Sequence, residues 1–376
     1  MDAVMITATH AWRRLLLILA AVILTITGLT GSATARPGPA SAYLPPAHHV
    51  FVVNLENKGY DETWGPNSKA PYLSQTLRGQ GVLLTQYYGT AHNSLPNYVG
   101  QISGQGPNPQ TQGDCQIYSD FVGAGTVDPG QAVGHGCVYP AQVPTVAGQL
   151  TSAGLSWKGY MEDMRTPCRH PVLNNRDNTQ TAKVGDQYAA RHDPFVYFHS
   201  IIDSPACAQR VVDQSALTTD LRSAATTPSL SYITPNLCHD GHDTPCVDGQ
   251  PGGLVSADAW LKAWIPKITS SPAFRKDGVL VITFDEADGS PQDSSACCGE
   301  GPGPNSPLPG ISGLGGGRVG ALVISPFVRP GTWSTTPYNH YSLLASLEEM
   351  FGLPKLGYAS TPGLNRFGLD VYNASV

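Results

Sequence analysis

The chain has 376 residues, of which 41% are hydrophobic and 13% are charged, and its net charge is −6. This length and apolar content can bury the core of one large domain or of two smaller ones. The slightly acidic balance is spread along the chain, which argues against a surface that binds nucleic acid.

The N-terminal residues have the pattern of an export signal. Two arginines precede a short apolar run over 15–26, and small residues follow up to Ala35. A basic flank, a short apolar core and an A-x-A triplet are typical of a signal peptide that is removed. We therefore predict a signal peptide over 1–35, a flexible leader over 36–46 and a secreted protein without stable membrane insertion after cleavage. An uncleaved anchor and a twin-arginine signal are the alternatives.

Strand-like and helix-like segments alternate in the rest of the chain. Apolar, β-branched runs predict strands over 49–55, 82–88, 155–161, 229–234, 278–284 and 319–325. Helical patterns occur over 70–81, 143–153, 256–268 and 340–351. Because helices that connect parallel strands cover both faces of a sheet, we predict an α/β fold. It has a mostly parallel central sheet with helices on both faces, in a single domain over 47–376.

Two regions, near 104–142 and 288–317, do not follow this alternation. Loops of this length are uncommon in compact domains unless they are functional or disordered. The second region is rich in Gly, Pro and Ser and begins directly after a pair of acidic residues. We interpret it either as the rim of a site or as a surface insertion.

All eight cysteines follow the predicted signal, and an even number of cysteines in an exported chain predicts disulfides. Proximity in sequence suggests the pairs Cys115–Cys137, Cys168–Cys207 and Cys238–Cys246, with a vicinal bridge between Cys297 and Cys298. Spacing does not fix connectivity, so this pairing is a hypothesis. A zinc cluster is disfavoured because the chain has no C-x-x-C pair.

Polar side chains follow several predicted strands, at the position where open α/β sheets bind ligands. They are Glu56, Asn57, His92, Ser94, Asp240, His242, Asp285, Glu286 and His340. Asp285 and Glu286 are adjacent, so their charges repel unless a cation lies beside them. Each of these residues alone is explained equally well as a helix cap or a loop residue. Together they offer oxygen and nitrogen ligands for one or two divalent metal ions.

Ser94 occurs in the segment Asn-Ser-Leu-Pro-Asn. Proline is favoured in the first turn of a helix, so we predict that Ser94 lies at a helix N-terminus, where backbone N–H groups favour an anion. A metal beside it would help to ionise the hydroxyl and make it a nucleophile. The alternative is that Ser94 only caps the helix.

With these residues the sequence resembles the bacterial secreted acid phosphatases and phospholipase C-type phosphoesterases of the alkaline-phosphatase-like superfamily. The similar stretches, which occur in family order, are FVVNLENKGYDETWG, APYLSQTLRGQG, HNSLPNYVGQISG, PNLCHDGHD, DAWLKAWIP, LVITFDEADG, VISPFVRPG and NHYSLLASLEEMFGLP. Two departures concern the substrate preference. His92-Asn93-Ser94 replaces a common His-Pro-Ser, and the loop after Asp288 is longer than in compact members.

The resemblance implies an alkaline-phosphatase-like fold and a role for each matched residue. Metal ligands would be Glu56, Asn57, Asp285 and Glu286, together with the Asp-x-His element of Asp240 and His242. Ser94 would be the nucleophile, His92 would contact phosphate, and His340 would bind metal or phosphate. His239 and Asp243 flank the Asp-x-His element, so the ligand assignment there has alternatives.

The function expected on this basis is hydrolysis of phosphate monoesters through a phosphoserine, with a divalent metal as cofactor. The substrate would be a phosphorylated small molecule or a phospholipid headgroup, and the resemblance includes enzymes that act on phosphoinositides. The alternatives are a phospholipase C-type phosphodiesterase, a metal-free serine hydrolase and an exported binding module without activity. The serine hydrolase is disfavoured because no G-x-S-x-G elbow is present.

Overall fold

The structure is a computed structural model that describes residues 44–374. The predicted signal peptide and most of the predicted leader lie outside the described residues. The strands are β1 (His49–Leu55), β2 (Val82–Leu84), β3 (Tyr87–Tyr88), β4 (Ile117–Tyr118), β5 (Val122–Val127), β6 (Gln131–His135), β7 (Trp157–Met161), β8 (Asn175–Arg176), β9 (Val211–Asp213), β10 (Leu230–Thr234), β11 (Gly278–Phe284), β12 (Ala321–Ile324), β13 (Thr332–Ser334) and β14 (Tyr338–Asn339).

The α-helices are α1 (Tyr60–Trp64), α2 (Ser94–Ser103), α3 (Val146–Ser152), α4 (His199–Ile202), α5 (Cys207–Arg210), α6 (Leu217–Asp220), α7 (Gly253–Thr269), α8 (Pro272–Asp277) and α9 (His340–Met350). Short 3₁₀ turns lie at Ala190–His192 and Pro194–Tyr197, before α4. Within the described part of the chain, no helix is both long and apolar enough to cross a membrane.

Eight strands form the central sheet in the order β13-β2-β12-β11-β1-β10-β7-β9. The five strands β11, β1, β10, β7 and β9 are mutually parallel, and β12 runs antiparallel to both β11 and β2. All seven residues of β1 and of β11 are buried. Such continuous apolar strands are typical of a parallel sheet that is covered on both faces, and the predicted mostly parallel sheet is confirmed.

Two neighbouring contacts of β1 show which helices cover each face. Phe51 packs against Phe274 of α8, with ring centroids 6.3 Å apart. Asn54 accepts a hydrogen bond of 3.1 Å from Gln101 of α2. Because successive side chains of a strand point to opposite faces, residues 51 and 54 lie on different sides of the sheet. Helices α8 and α2 therefore cover opposite faces, as predicted.

Local structure departs from the predictions in two places. The segment predicted as one helix over 70–81 forms a π-helical turn at Tyr72–Leu77 followed by a 3₁₀ turn at Arg78–Gln80. The strand predicted over 82–88 is divided into β2 and β3, which pair in different sheets. The irregular region near 104–142 contains the β5–β6 hairpin.

The four predicted disulfides are all present: Cys115–Cys137, Cys168–Cys207, Cys238–Cys246 and Cys297–Cys298. Cys115–Cys137 anchors the first irregular region, and Cys168–Cys207 joins the segment after β7 to α5. Cys238–Cys246 closes a loop directly after β10 and beside Asp240. The bridges therefore stabilise segments that lack regular secondary structure of their own.

Candidate active site

The acidic residues lie where three parallel strands end. Strands β10, β1 and β11 are adjacent and parallel, and Leu55 is opposite Phe284 in the register. Glu56 and Asn57 follow β1, and Asp285 and Glu286 follow β11. The backbone N–H of Glu56 also donates to the carbonyl of Asp240, at 2.8 Å, so the segment after β10 reaches the same point.

Asn57 joins the two acidic residues that follow β11. Its backbone N–H donates to Asp285 Oδ1 at 3.0 Å, and its side-chain amide donates to Glu286 Oε1 at 2.9 Å. This geometry requires a φ of 48° at Asn57, a left-handed conformation that asparagine tolerates better than most residues. The amide therefore holds the two carboxylates in fixed positions.

Ser94 is the first residue of α2, as predicted, and a neighbouring asparagine fixes the turn that precedes it. Asn97 Oδ1 accepts hydrogen bonds from the backbone N–H groups of Thr90 and Ala91, and its Nδ2 donates to two carbonyls of the same turn. Ser94 Oγ donates to Glu56 Oε2 at 2.7 Å. The predicted nucleophile thus donates a hydrogen bond to the carboxylate of the first residue after β1.

The sequence predictions omitted Tyr98, whose hydroxyl donates to Glu56 Oε1. Ser94, Tyr98 and Gln101 are spaced i, i+4 and i+7, so they share one face of α2. This face packs toward the central sheet, because Gln101 donates a hydrogen bond to Asn54 of β1. The spacing is a signal that could have identified Tyr98 as a site residue.

The four carboxylates are removed from water. Glu56 and Asp285 have no exposed surface, and Asp240 and Glu286 have 1% exposed. Burial raises the pKa of Asp285 to about 7, against the opposing effect of the Asn57 N–H. Burial, followed by the charges of Asp285 and Asp240, raises the pKa of Glu56, and burial raises that of Asp240. Each group raises the free energy of its neighbours' charged forms.

These carboxylates offer oxygen ligands of the kind that divalent cations select. Within residues 44–374, no lysine or arginine forms an ion pair with any of the four. Asn57 Oδ1, Asp285 Oδ2 and Asp240 Oδ2 are buried and have no hydrogen-bond partner in that range. Buried oxygen atoms without partners are costly, and hard oxygen ligands are those that divalent ions select. The metal site predicted at these residues stays a prediction.

His92, the residue predicted to contact phosphate, lies against this set. Its Nε2 bonds the carbonyl of Asp293 at 2.8 Å, and its Nδ1 contacts Glu286 Oε2. Burial lowers the pKa of His92, which favours the neutral ring with its proton on Nε2. Nδ1 and Glu286 Oε2 are then two acceptors in contact, an arrangement that a shared proton would stabilise.

His340 begins α9 behind the Asp285 backbone. Its Nε2 donates to the carbonyl of Asp285 at 2.6 Å, and its Nδ1 lies 3.1 Å from both the Tyr87 hydroxyl and the Gln101 amide. Burial lowers the pKa of His340 to about 4, so the ring is neutral. Both nitrogens are engaged, so direct contact with metal or phosphate would require it to release one of these bonds. In this arrangement His340 positions Asp285.

The Asp-x-His element is divided between the site and its rim. Asp240 is buried, and His242 is exposed, with its Nδ1 3.8 Å from Asp243. His239 turns away to Glu162, at 3.0 Å. The structure therefore places Asp240 with the other carboxylates and His242 at the rim.

The sequence predictions also omitted His192. It belongs to the Ala190–His192 turn, and its ring stacks on Tyr98 with centroids 5.4 Å apart. Nε2 lies 3.3 Å from Glu56 Oε2 and Nδ1 lies 3.7 Å from Asp240 Oδ2. Neither nitrogen makes a well-directed hydrogen bond within the described residues. Burial lowers its pKa, so the ring is neutral and one of its two nitrogens offers a lone pair.

The N-terminus of α2 is not free for phosphate. The N–H of Leu95 donates to Asp114 Oδ1 at 2.9 Å, and the N–H of Ser94 also stabilises this carboxylate. Arg191 Nε lies 3.9 Å from Asp114 Oδ2. Asp114 already accepts hydrogen bonds from the first N–H groups of α2. A phosphate could bind at this helix N-terminus only if it displaced Asp114, or it must be held by another positive group. Arg191 is such a group, since it is attracted to Glu56 and Asp240 as well.

The second irregular region, 288–317, packs against the site. Its Asp293 carbonyl accepts the His92 hydrogen bond, and Gly316 exchanges backbone hydrogen bonds with Gly89 and Ala287. A Cβ on Gly316 would lie 2.3 Å from the carbonyl of Ala91, so only glycine permits this approach. These contacts favour the rim over a plain surface insertion.

Comparison with known proteins finds relatives that are described as phosphatases. The chain is 28% identical to the phosphate-repressible acid phosphatase of Penicillium chrysogenum, over 86% of this chain and 64% of that protein. It is 25% identical to a phosphatidylinositol-3-phosphatase of Mycobacterium tuberculosis, over 87% of this chain and 85% of that protein. A solved structure in the alkaline phosphatase superfamily, from Vibrio parahaemolyticus, is similar with a TM-score of 0.49, 12% identity, and coverage of 85% of this chain and 72% of that one.

The chain spans 64% and 56% of the lengths of the first two fungal acid phosphatases that it matches. Residues 66–354 match the model of the family described as the phosphoesterase family. These residues are well over half of the chain and include Ser94, Asp285 and His340. The resemblance predicted from the sequence is therefore confirmed, and the chain belongs to the phosphoesterase family.

Proposed function

We propose that this protein is an exported, metal-dependent phosphatase that hydrolyses phosphate monoesters through a phosphoserine at Ser94. The observation that carries the proposal is the 2.7 Å hydrogen bond from Ser94 Oγ to Glu56 Oε2, at the edge of four buried carboxylates. The four disulfides support an exported protein, because such bonds persist in oxidising compartments.

The metal would be held by Glu56, Asn57, Asp285 and Glu286, with Asp240, His192 and the rim residue His242 on the other side. When bound, a divalent ion supplies positive charge that neutralises these carboxylates, attracts the phosphate and favours the ionised serine. Asn57 and His340 keep the acidic pair in position, through the two amide hydrogen bonds and the Asp285 carbonyl contact.

Ser94 loses its proton along its hydrogen bond to Glu56 Oε2. This hydrogen bond, 2.7 Å long, orients the hydroxyl and gives its proton an acceptor within reach. The Ser94 oxygen attacks phosphorus and the bond to the alcohol breaks. The departing alkoxide takes a proton from solvent. Water then attacks phosphorus, the bond between Ser94 Oγ and phosphorus breaks, inorganic phosphate is released, and Ser94 recovers the proton that Glu56 accepted.

Charge on the phosphate oxygens is stabilised by groups of the chain that surround Ser94. Arg191 contributes positive potential, and His92 presents a neutral ring beside Glu286. Binding energy of this kind acts on the transition state when the donors are fixed in advance. Within this proposal the natural ester can be a soluble phosphate or a lipid headgroup, and the phosphatidylinositol-3-phosphatase relative supports the second.

The test is hydrolysis of a chromogenic phosphate monoester by the protein, before and after chelation and after return of single divalent metals. We expect activity that chelation removes and one or more metals restore. Activity that survives exhaustive chelation contradicts the metal-dependent mechanism. Absence of monoesterase activity with every metal, together with hydrolysis of phosphatidylcholine, identifies a phospholipase C-type diesterase instead.

A further inference from the structure

A turn on the rim of the site exposes three aliphatic side chains. Leu308, Ile311 and Leu314 have 43%, 45% and 40% of their surface exposed, whereas Pro309 and Gly310 between them are buried. The N–H of Ile311 donates to the carbonyl of Leu308 at 3.0 Å, so the first two lie in one tight turn. Single exposed leucines are ordinary, but three on a short loop are not.

The backbone of this turn is anchored and not free to move away. Ser294 Oγ donates to the carbonyl of Gly310 at 2.9 Å, and the N–H of Gly315 donates to the carbonyl of Ser294 at 3.2 Å. The aliphatic side chains are therefore held outward by a fixed scaffold. A surface that is ordered before binding loses less conformational entropy when it binds.

Ile311 has an unfavourable backbone conformation for its residue type. Its φ is 63°, in the left-handed region, where a β-branched side chain is a rare outlier. Glycine or asparagine would relieve this cost. An isoleucine that is both strained and exposed contributes little to folding, which points to a role for its side chain at the surface.

The turn is continuous with the residues around the nucleophile. The carbonyl of Pro309 accepts a hydrogen bond from the His92 N–H at 3.2 Å. Gln112 donates to the carbonyl of Leu308 at 2.8 Å and accepts from the exposed side chain of Asn93, the residue before Ser94, at 2.9 Å. The turn is therefore joined by hydrogen bonds to His92 and, by way of Gln112, to Asn93, the exposed residue before Ser94.

The chemistry of this surface fits a lipid bilayer better than a protein. Residues 301–317 contain no charged residue and no aromatic residue. Protein interfaces concentrate their binding energy in Trp, Tyr and Arg, with leucine under-represented. Aliphatic side chains flanked by neutral polar residues suit insertion at the boundary between lipid headgroups and acyl chains.

We propose that Leu308, Ile311 and Leu314 form a membrane-contacting turn that brings the active site to phosphate monoesters carried by a lipid bilayer. This inference rests on the proposed phosphatase function and specifies its substrate class. Because the turn is uncharged, its attraction to the bilayer is apolar and is not weakened by salt.

The experiment compares one headgroup in two physical forms. The substrates are phosphatidylinositol 3-phosphate in phosphatidylcholine vesicles and the same headgroup on a water-soluble short-chain lipid. The variant carries L308S, I311S and L314S together. We expect it to keep the wild-type kcat/KM on the soluble form within about twofold and to lose about tenfold on the vesicles, since removal of three inserted side chains is worth at least one tenfold step in affinity.

The single variant I311N separates a surface effect from misfolding. Asparagine tolerates the left-handed conformation, so its melting temperature should equal or exceed that of the wild type, while its rate on vesicles falls. Equal losses on soluble and vesicle substrates would overturn the proposal, because the turn would then act on the chemistry. An unchanged vesicle rate in the triple variant would overturn it as well.

Failure of the proposed function gives a different result. If the wild type hydrolyses neither form, the phosphatase proposal fails, and flotation with phosphatidylcholine vesicles then tests the surface alone. Salt-insensitive flotation of the wild type that the triple variant loses supports the membrane-contacting turn. No flotation of the wild type refutes it.

Discussion

Ser94 Oγ donates its hydrogen bond to Glu56 Oε2, while Tyr98 donates to the other oxygen of the same carboxylate. Glu56 is thus held by two hydroxyls from one face of α2, with no exposed surface. The strand end and the helix start are fixed to each other by these two bonds. The proposed nucleophile and its proton acceptor therefore have one geometry before any substrate arrives.

The first prediction concerns the nucleophile. Replacing Ser94 with alanine should lower kcat for a phosphate monoester by about a thousandfold or more, because alanine has no hydroxyl to form the covalent intermediate. The fold should persist, since Ser94 is a small residue at a helix end. Activity and far-ultraviolet circular dichroism of the same preparation measure both effects.

Ser103, at the other end of α2, provides a matched control. Its hydroxyl donates to the carbonyl of Val99 at 2.7 Å, away from the carboxylates. The variant S103A should retain kcat within a few-fold. Near-normal turnover by S94A would show that the nucleophile is a different residue.

The second prediction concerns His192. Phenylalanine at this position preserves the stacking on Tyr98 and removes both ring nitrogens, which lie beside Glu56 and Asp240. If His192 binds or orients the metal, H192F should lower metal affinity and kcat/KM by about 10–100-fold. Its melting temperature in chelator should not fall, because two buried nitrogens without well-directed hydrogen bonds are lost.

Metal titration by calorimetry and thermal denaturation in chelator separate these effects. His199 is the control, since it pairs with Asp120 at 2.7 Å and Asp203 at 2.9 Å, in α4. The variant H199Q should bind metal like the wild type. A structural role alone would instead make H192F less stable while leaving its metal affinity unchanged.

The difference between His192 and the predicted residues shows what a sequence can indicate about this site. Glu56 and Asp285 follow long apolar strands, and parallel strands bring their carboxyl ends together, so their proximity was predictable. His192 follows no strand, and only the tertiary packing of a 3₁₀ turn against α2 places it there. Tyr98 is intermediate, because its i, i+4 spacing from Ser94 is visible once the helix is assumed.

Asp114 and His340 show that the contacts of a side chain were not predictable even where the start of a helix was. The predicted helix at Ser94 is correct, but the acid that completes its N-terminus comes from an irregular region near the Cys115–Cys137 bridge. His340 occupies the predicted strand-to-helix position, yet its ring bonds a backbone carbonyl. Periodicity predicts where an element begins, whereas the partners of a side chain depend on loops that have no periodicity.

The third prediction concerns the buried acids without metal. Unfolding in chelator should show that D285N is more stable than the wild type above neutral pH, by at most about 4 kcal/mol. The pKa of Asp285 is raised from 3.8 to about 7 in the folded state, so the folded protein binds more protons than the unfolded chain between these values. Stability of the wild type therefore falls as pH rises through this range and stays low above it.

Added divalent metal should make the wild type more stable than D285N. The wild type should gain melting temperature by binding an ion that stabilises its charged carboxylates, whereas D285N should gain less and lose activity. The control D288N changes an exposed rim acid that pairs with Lys58 at 3.3 Å. Equal melting temperatures for D285N and the wild type at high pH without metal would show that an uncompensated charge on Asp285 does not destabilise the folded protein.

The fourth prediction lies outside the site, in α9. Glu348 has no exposed surface, its Oε1 accepts from the Leu356 N–H at 2.9 Å, and its Oε2 has no hydrogen-bond partner within the described residues. Burial raises the pKa of Glu348 from 4.5 to about 8. The folded state therefore binds the extra proton between these values, and stability falls as pH rises from about 4.5 through about 8.

The variant E348Q keeps the acceptor for Leu356 and cannot ionise. It should raise the melting temperature by a few degrees at about pH 9 and by much less at about pH 5, because the cost of the charged form exists only at the higher pH. Its neighbour Glu349 pairs with Arg366 at 2.8 Å, so E349Q should leave the melting temperature unchanged or lower it at both values. Equal shifts for E348Q at the two pH values would show that Glu348 is not protonated in the folded protein.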